Sequence, residues 1–421
     1  MTTSRNIVVA GAGIGGLTTA LALAARGFRV SVLEQAAVLE EAGAGIQLSP
    51  NATRILIDLG LGELLKPVVV APDALVVRSA GSARPIVTMP LGGIAATRFG
   101  APYWVVHRAD LHAALVKAAR ANPDIEIALR TKVEDFAAHS YGLTILARRG
   151  ADIIEEYAIA LIGADGLWST LRGRLDDREQ PVFRKRTAWR ALVPAGNVPH
   201  GLREPVVQLW LGRNTHLVHY PVSGGAAINL VAIARNFHEQ GGWSGAGSRR
   251  DLLARFPPWT WSRRARAILK LPDQWQTWSL YDMPPLRRWG EGPMTLVGDA
   301  AHPMLPFLAQ GAAMAIEDAA VLADCLARSP GDAPLALRAY EQARRSRTAA
   351  VQRAARHNGS IYHRAGAEAF ARNLGMRMLG GRRLIGRYAW IYDWRTGEPD
   401  GSGAGLSHVG AEPDRVETVR T

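Results

Sequence analysis

Two histidines and a tyrosine stand within five residues of one another in His216-Leu-Val-His219-Tyr220-Pro221, and imidazole is the side chain best suited to exchange a proton near neutral pH. Successive side chains of a strand point to opposite faces, so His216, Val218 and Tyr220 share one face and His219 takes the other. His216 is then a candidate for exchanging a proton with a bound molecule, and Tyr220 for contacting it from the same face. The plainer alternative is a half-exposed strand histidine beside a packing tyrosine. In Thr187-Ala-Trp189-Arg190-Ala, Arg190 could pair with a substrate carboxylate, or be an outward-facing strand arginine.

A second constellation is Gly11-Ala-Gly13-Ile-Gly15-Gly16, which fits G-x-G-x-x-G on Gly11, Gly13 and Gly16. Gly11 permits a tight turn, Gly13 lets the backbone approach a diphosphate, and Gly16 lets a helix lie close to a sheet. The helix start offers free N–H groups to the anion. Glu34, about 20 residues further on, can accept hydrogen bonds from ribose hydroxyls. A dinucleotide site follows, but whether for NAD or FAD this turn does not decide.

These residues need elements to hold them. Apolar runs at Ile7–Ala10 and Val30–Leu33 bracket a helical stretch from Leu17 to Ala25, which makes a βαβ unit. Short apolar runs recur at Ile125–Leu129, Leu143–Ala147, Ile159–Ile162 and Met294–Val297, so the nucleotide sheet is expected to draw on distant parts of the chain. The segments Thr187–Pro194, Val206–Leu211, His216–Pro221 and Ala226–Ala234 are β-rich and broken by Gly, Pro and Asn, as in an antiparallel sheet. Beyond Gln310 the chain turns Ala- and Arg-rich with helical periodicity through Arg356 and on to Tyr388. The Gly/Pro/acidic tail from Gly397 reads as disordered.

Composition bounds the rest. The 421 residues, 48% of them hydrophobic, describe an ordinary soluble globular protein large enough for two or three domains. No apolar run is long enough to span a membrane, and the start leaves no room for a signal peptide, so a cytoplasmic location is expected. The single Cys325 excludes an internal disulfide framework, and no His/Asp/Glu spacing suggests a metal. Part of the +13 charge lies in Arg344, Arg345, Arg347, Arg353, Arg356, Arg382, Arg383 and Arg387. These read as a solvated helix face, with a nucleic-acid surface as the less favoured alternative. Trp210, Trp243, Trp259, Trp261, Trp275 and Trp278 read as packing residues.

Two later segments resolve the nucleotide. Gly163-Ala-Asp165-Gly166-Leu-Trp-Ser169-Thr-Leu-Arg172 resembles the GADGxxSxxR segment of the flavoprotein aromatic hydroxylases. Leu296-Val-Gly298-Asp299-Ala-Ala-His302-Pro303, continuing to Gln310-Gly311 and Glu317-Asp318-Ala319, resembles their second FAD motif. The whole chain resembles the subgroup of salicylate hydroxylase, 3-hydroxybenzoate 6-hydroxylase and 6-hydroxynicotinate 3-monooxygenase.

The resemblance implies an α/β fold: a Rossmann-like FAD domain of the para-hydroxybenzoate hydroxylase type, an inserted antiparallel substrate sheet and a helical C-terminus. The expected parts are an FAD domain from 1–73, 100–180 and 285–330, a substrate domain from 74–99 and 181–284, C-terminal helices over 331–396 and a tail over 397–421. It implies that Asp299 bonds a ribityl hydroxyl beside Gly298, that Asp165 lies near the diphosphate, and that Gln47 lies in a loop along the flavin. Arg108 is expected to reach the FAD phosphates or ribityl chain, an ion pair with Asp110 being the alternative. Gly311 and Ala312 would open a helix whose positive end faces the flavin, after a loop stiffened by Pro303 and Pro306. Glu317 and Asp318 read as helix-face carboxylates with a structural role, and His302 as a loop support.

The implied reaction takes electrons from NADH or NADPH, bound transiently for want of a second nucleotide domain, and one oxygen atom from O2 through a C4a-hydroperoxyflavin. The implied substrate is a small hydroxyaromatic acid lined by His216, Tyr220, Arg190 and Pro306. By position His216 and Tyr220 match the His and Tyr that line the family's ring pocket, which implies that His216 accepts or relays the phenolic proton and Tyr220 orients the ring. Gln47 replaces the His of the 6-hydroxynicotinate enzymes, and Pro306 replaces the Gln of the 3-hydroxybenzoate 6-hydroxylases, which shifts the expectation towards a salicylate-like acid. Neither nucleic acid nor membrane is an expected partner, and the chain is expected as a monomer or as a homodimer using its basic helices. The rival readings are a flavin monooxygenase or reductase of non-aromatic substrates, and a flavin-bound regulatory protein without turnover.

Overall fold

In the computed structural model, which describes residues 6–39, 43–175, 180–237 and 244–397, the run Ile7-Val8-Val9-Ala10 forms a central strand buried on both faces. That is why it can be apolar without alternation. It pairs in parallel with Arg29–Leu33 on one side and Ala160–Gly163 on the other. Ile125–Ala128 and Met294–Leu296 extend the parallel sheet outward, and Gly290–Glu291 closes it antiparallel. Three stretches of the chain, 6–33, 125–163 and 290–296, thus share one six-stranded sheet.

The run Leu143–Ala147 does not join it. It lies in Gly142–Arg149, the middle strand of a three-stranded antiparallel sheet with Thr131–His139 and Asp152–Ala158. Its buried residues alternate, Leu143, Ile145 and Ala147, so one face meets the core and the other meets water. A parallel strand covered on both sides would not alternate.

The β-rich middle forms an eight-stranded sheet in the order Ser244–Gly247, Trp275–Asp282, Val182–Pro194, Ala227–Arg235, Thr215–Val222, Val206–Gly212, Ala74–Ser79, Pro85–Pro90. Every junction is antiparallel except that of Val206–Gly212 with Ala74–Ser79, which is parallel. Trp210, Trp261 and Trp275 pack its core, whereas Trp259 is largely exposed and Trp243 lies outside the described residues.

The C-terminal part is helical, with Gly311–Arg328, Ala333–Tyr362 and Gly366–Gly386 as its long members. The tail beyond Gly397 lies outside the described residues. Among the described residues no helix is long and apolar enough to cross a membrane.

One reading needs correction here. Arg344 and Arg347 are not on a solvated face: both are buried, together with Glu317 and Asp318, whose structural role they share. Arg344 pairs with Glu317 at 2.6 Å and Asp318 at 2.7 Å, and Arg347 pairs with Glu317 at 2.7 Å. The helices Gly311–Arg328 and Ala333–Tyr362 pack face to face, so charges that periodicity alone assigns to water end up opposite one another. Arg345, Arg353, Arg382, Arg383 and Arg387 do face solvent.

Candidate active site

The strand Asn6–Ala10 ends in Gly11, whose φ of +109° is a conformation that side-chain-bearing residues rarely adopt. A Cβ on Gly16 would sit 1.9 Å from the Gly11 carbonyl oxygen, so the turn exists only with glycine there. Gly13 caps the helix Ile14–Ala24 with no side-chain partner, leaving the helix N-terminus to a ligand. Gly15 and Gly298 both meet Ala315, which draws this helix and the Gly298 turn onto Gly311–Arg328. The carboxylate of Glu34 accepts from the Ala12 and Ala36 backbone N–H groups, each at 2.7 Å, and is fixed beside the turn.

A cleft of about 1040 Å³ runs from this turn to the Asp299 loop. Gly13, Glu34, Arg108, Arg190, Asp299 and Pro306 are the predicted residues on its wall. Gly166 is on it too, while Asp165 stands behind, accepting from the Leu171 N–H at 3.2 Å with its other oxygen buried and unpartnered. Gly311 is also behind the wall, close to the Asp299 carboxylate. Asp110 accepts a hydrogen bond from Ser223 at 2.7 Å, and Arg108 turns to the cleft. His112, which no sequence pattern marks, lines the cleft and must donate its Nε2–H to the Ala12 carbonyl at 2.7 Å.

The Asp299 loop is clamped from beneath. Asp318 accepts from the Gly298 N–H at 3.0 Å and lies 2.5 Å from His302 Nε2. Burial would raise the Asp318 pKa, but His302, Arg344 and the Gly298 N–H outweigh it and hold the carboxyl at about 2. Glu317 is likewise lowered, burial being outweighed by Arg347 and Arg344, and it accepts from Asn51 at 2.6 Å. For Asp299 itself burial prevails over His302, Arg108 and Arg172, and its pKa is raised.

Beyond Pro306, which borders both spaces, lies an inner cavity of about 120 Å³. Its wall is mostly apolar, with His216, Gln47, Tyr103 and Tyr362 among the exceptions. His216 comes from Thr215–Val222, held in register between Leu211 and Ile233. Its ring packs on Phe307, Tyr362 and His363, and its Nδ1 lies 2.8 Å from His363 Nε2. Burial, reinforced by Arg186, lowers the His216 pKa to about 3, so the ring is neutral at working pH. His219 points the other way and accepts from the Trp210 N–H at 3.1 Å, a packing role.

Two predicted substrate contacts are not on this inner wall. Tyr220 stands behind it: a Cβ on Gly45 would come within 2.6 Å of the Tyr220 ring, and the Tyr220 hydroxyl bonds Gln47. Tyr103 donates to the same Gln47 at 2.8 Å, so two tyrosines orient one amide. Arg190 is neither outward-facing nor in the inner cavity; it lies over the Trp278 ring at 4.9 Å, facing the cleft. Burial, with Arg108 adding to it, lowers its pKa to about 10, and its Nε has no partner. His363 was missed because it sits some 150 residues from His216 at the end of a helix, and no local pattern marks it.

The sequence from residue 4 to 355 matches the family model described as FAD binding domain. This chain belongs to the FAD-dependent aromatic hydroxylase family. It is 38% identical over 395 residues to 3-hydroxybenzoate 6-hydroxylase 1 of Aquipseudomonas alcaligenes, covering 94% of this chain and 98% of that one. A 3-amino-4-hydroxybenzoate 2-monooxygenase of Streptomyces cremeus is 37% identical over 94% of this chain and 97% of its own. Among solved structures, a salicylate hydroxylase substrate complex superposes with a TM-score of 0.78 at 26% identity, covering 94% and 97%.

The residues present fit FAD. The cleft has the size of a large ligand site, its diphosphate turn has no room for side chains, and Glu34 and Asp299 both stand on its wall. Gly16→Ala is expected to weaken FAD retention about 5- to 150-fold, because the misfit costs roughly 1–3 kcal/mol. Titrating apoprotein with FAD and following flavin fluorescence checks this; unchanged affinity would remove the turn from the site.

Proposed function

We propose that this chain is an NAD(P)H-consuming FAD monooxygenase that hydroxylates a monocyclic hydroxyaromatic acid held in the inner cavity. The observation carrying the reading is that cavity: it meets the cofactor cleft at Pro306 and has a neutral histidine on its wall. A dry cavity of roughly 150 Å³ accommodates a benzene ring, so about 120 Å³ is on the scale of a single ring whose substituents reach out towards the cleft at Pro306, and it excludes a fused system.

FAD supplies the redox chemistry, taking electrons from NAD(P)H and activating O2. The protein's own tasks are positioning, dryness and the proton. Gly11, Gly13 and Gly16 would seat the diphosphate, Glu34 the adenosine ribose, and Asp299 and Arg108 the ribityl side, with Gly15, Gly298, Gly311, Ala312 and Asp165 shaping the ground behind. His216 would accept the substrate hydroxyl proton, making the ring electron-rich. Tyr220 acts through Gln47, which it helps to orient towards the ring. No cationic side chain lines the inner cavity among the described residues, so Arg190, at the cleft side, is the candidate partner for the carboxylate.

Gln47 and Pro306 pointed towards a salicylate-like acid. Over whole chains the similarity to a 3-hydroxybenzoate 6-hydroxylase, at 38%, exceeds that to salicylate hydroxylase, at 26%. Both acids therefore head the test, with hydroxypyridine acids beside them. The holoenzyme under 18O2 should oxidise NADH or NADPH faster with one of them and place a single labelled oxygen on its ring. If all stimulate only peroxide release, with no labelled product, the proposal fails.

A further inference from the structure

We propose that His363 is a positioning residue that fixes the tautomer of His216, so that His216 presents a bare Nε2 to the substrate hydroxyl. The inference rests on the reading of His216 as proton acceptor.

Two neutral imidazoles 2.8 Å apart share one proton, and which ring donates decides what His216 shows the cavity. If His216 Nδ1 donates, its Nε2 is a lone pair and can accept. If His363 Nε2 donates, His216 Nε2 carries the hydrogen and cannot.

The surroundings of His363 choose between these. It is the residue after the helix Ala333–Tyr362, where the last four carbonyls lack intrahelical partners. The Gly359 carbonyl is one of them, and it acts on the His363 ring as an acceptor, raising its pKa against the lowering by burial, His216, Arg186 and Arg372. Nε2 is turned to His216, which leaves Nδ1, buried and without a hydrogen-bond partner, as the ring nitrogen on which this carbonyl can act. A carbonyl oxygen attracts an N–H and repels a lone pair. Nδ1 of His363 therefore carries the hydrogen, its Nε2 accepts, and His216 Nδ1 donates.

The remaining neighbours do not reverse this. Phe307 packs on both rings and Tyr362 on His216, while Arg186 lies over the Phe307 ring at 5.8 Å. The guanidinium groups of Arg186 and Arg372 disfavour a cation on His363, which keeps it a neutral acceptor. When the substrate gives up its proton, the O–H bond breaks and an Nε2–H bond forms on His216. The negative charge stays on the substrate oxygen and the positive charge on His216, whose Nδ1–H then bonds His363 more strongly.

The arrangement can be read without mutation. In 15N-histidine NMR of the FAD-loaded protein, His216 should show a protonated Nδ1 and a bare Nε2; the opposite tautomer overturns the proposal. A second test follows the absorbance of a bound hydroxybenzoate as pH is varied. His363→Leu should raise the pH at which the bound hydroxyl ionises and lower kcat about 10- to 100-fold near neutral pH. His363→Gln, which keeps an acceptor, should restore most of both. An unshifted profile in His363→Leu, or no rescue by His363→Gln, overturns the positioning role. His216→Asn separates the two ideas: if it leaves the ionisation of bound substrate unchanged, the reading of His216 itself fails, and if only it has an effect, the His363 role alone fails.

Discussion

His216→Asn should lower kcat for ring hydroxylation by about 10²–10⁴, the usual share of a positioned general base. The loss should shrink as pH approaches the value at which a free phenol ionises, about 10, because the substrate then arrives without its proton. His216 itself should add no acid limb between pH 5 and 8, since burial already lowers its pKa to about 3. The check is the rate of labelled product formation against pH in the variant and the parent. A variant with the parent's rate and profile would show that the hydroxyl proton leaves by another route.

The other large effect concerns stability. Arg344→Leu should destabilise the fold by about 3–5 kcal/mol, as expected when one partner of a buried pair is removed and the other is stranded. Arg344 serves Glu317 and Asp318 together, so two buried carboxylates lose a cation at once. Asp318 in turn holds the Gly298 N–H and His302, so FAD should be released early in the unfolding. The acid branch follows from the sign of the shift. Asp318 has its carboxyl lowered from 3.8 to about 2, so its stabilisation is full above about pH 4 and is lost as pH falls towards 2. Urea unfolding monitored by both protein and flavin fluorescence measures the effect; a loss under 1 kcal/mol would mean that the network contributes little.

What the sequence revealed follows the range of the interactions. The glycine turn, its strand and Glu34 were legible because they are local: each residue's role is set within about 30 positions. The face shared by His216 and Val218 was legible because alternation is a property of one strand. Arg344 and Arg347 were misjudged because a helix pattern shows which residues share a face but not what covers it. Tyr220 was placed on the wall because its face was right, while the insertion of Gly45 and Gln47 in front of it depends on Gly45–Leu48, which begins 175 residues away and is a strand, not the expected loop. His363 left no trace for the same reason.

The sheet order has a consequence for how the protein is made. The strand Ala160–Gly163 lies between Asn6–Ala10, near the start of the chain, and Met294–Leu296, and the Asp299 end of the cofactor cleft follows directly on the latter. At translation rates of about 5–20 residues per second, roughly 15–60 s pass before residue 300 exists. During that interval the nascent chain holds a glycine turn with no opposite bank. Flavin capture is therefore a late event in biosynthesis, and chains ending before Met294 should emerge as apoprotein with an open sheet edge.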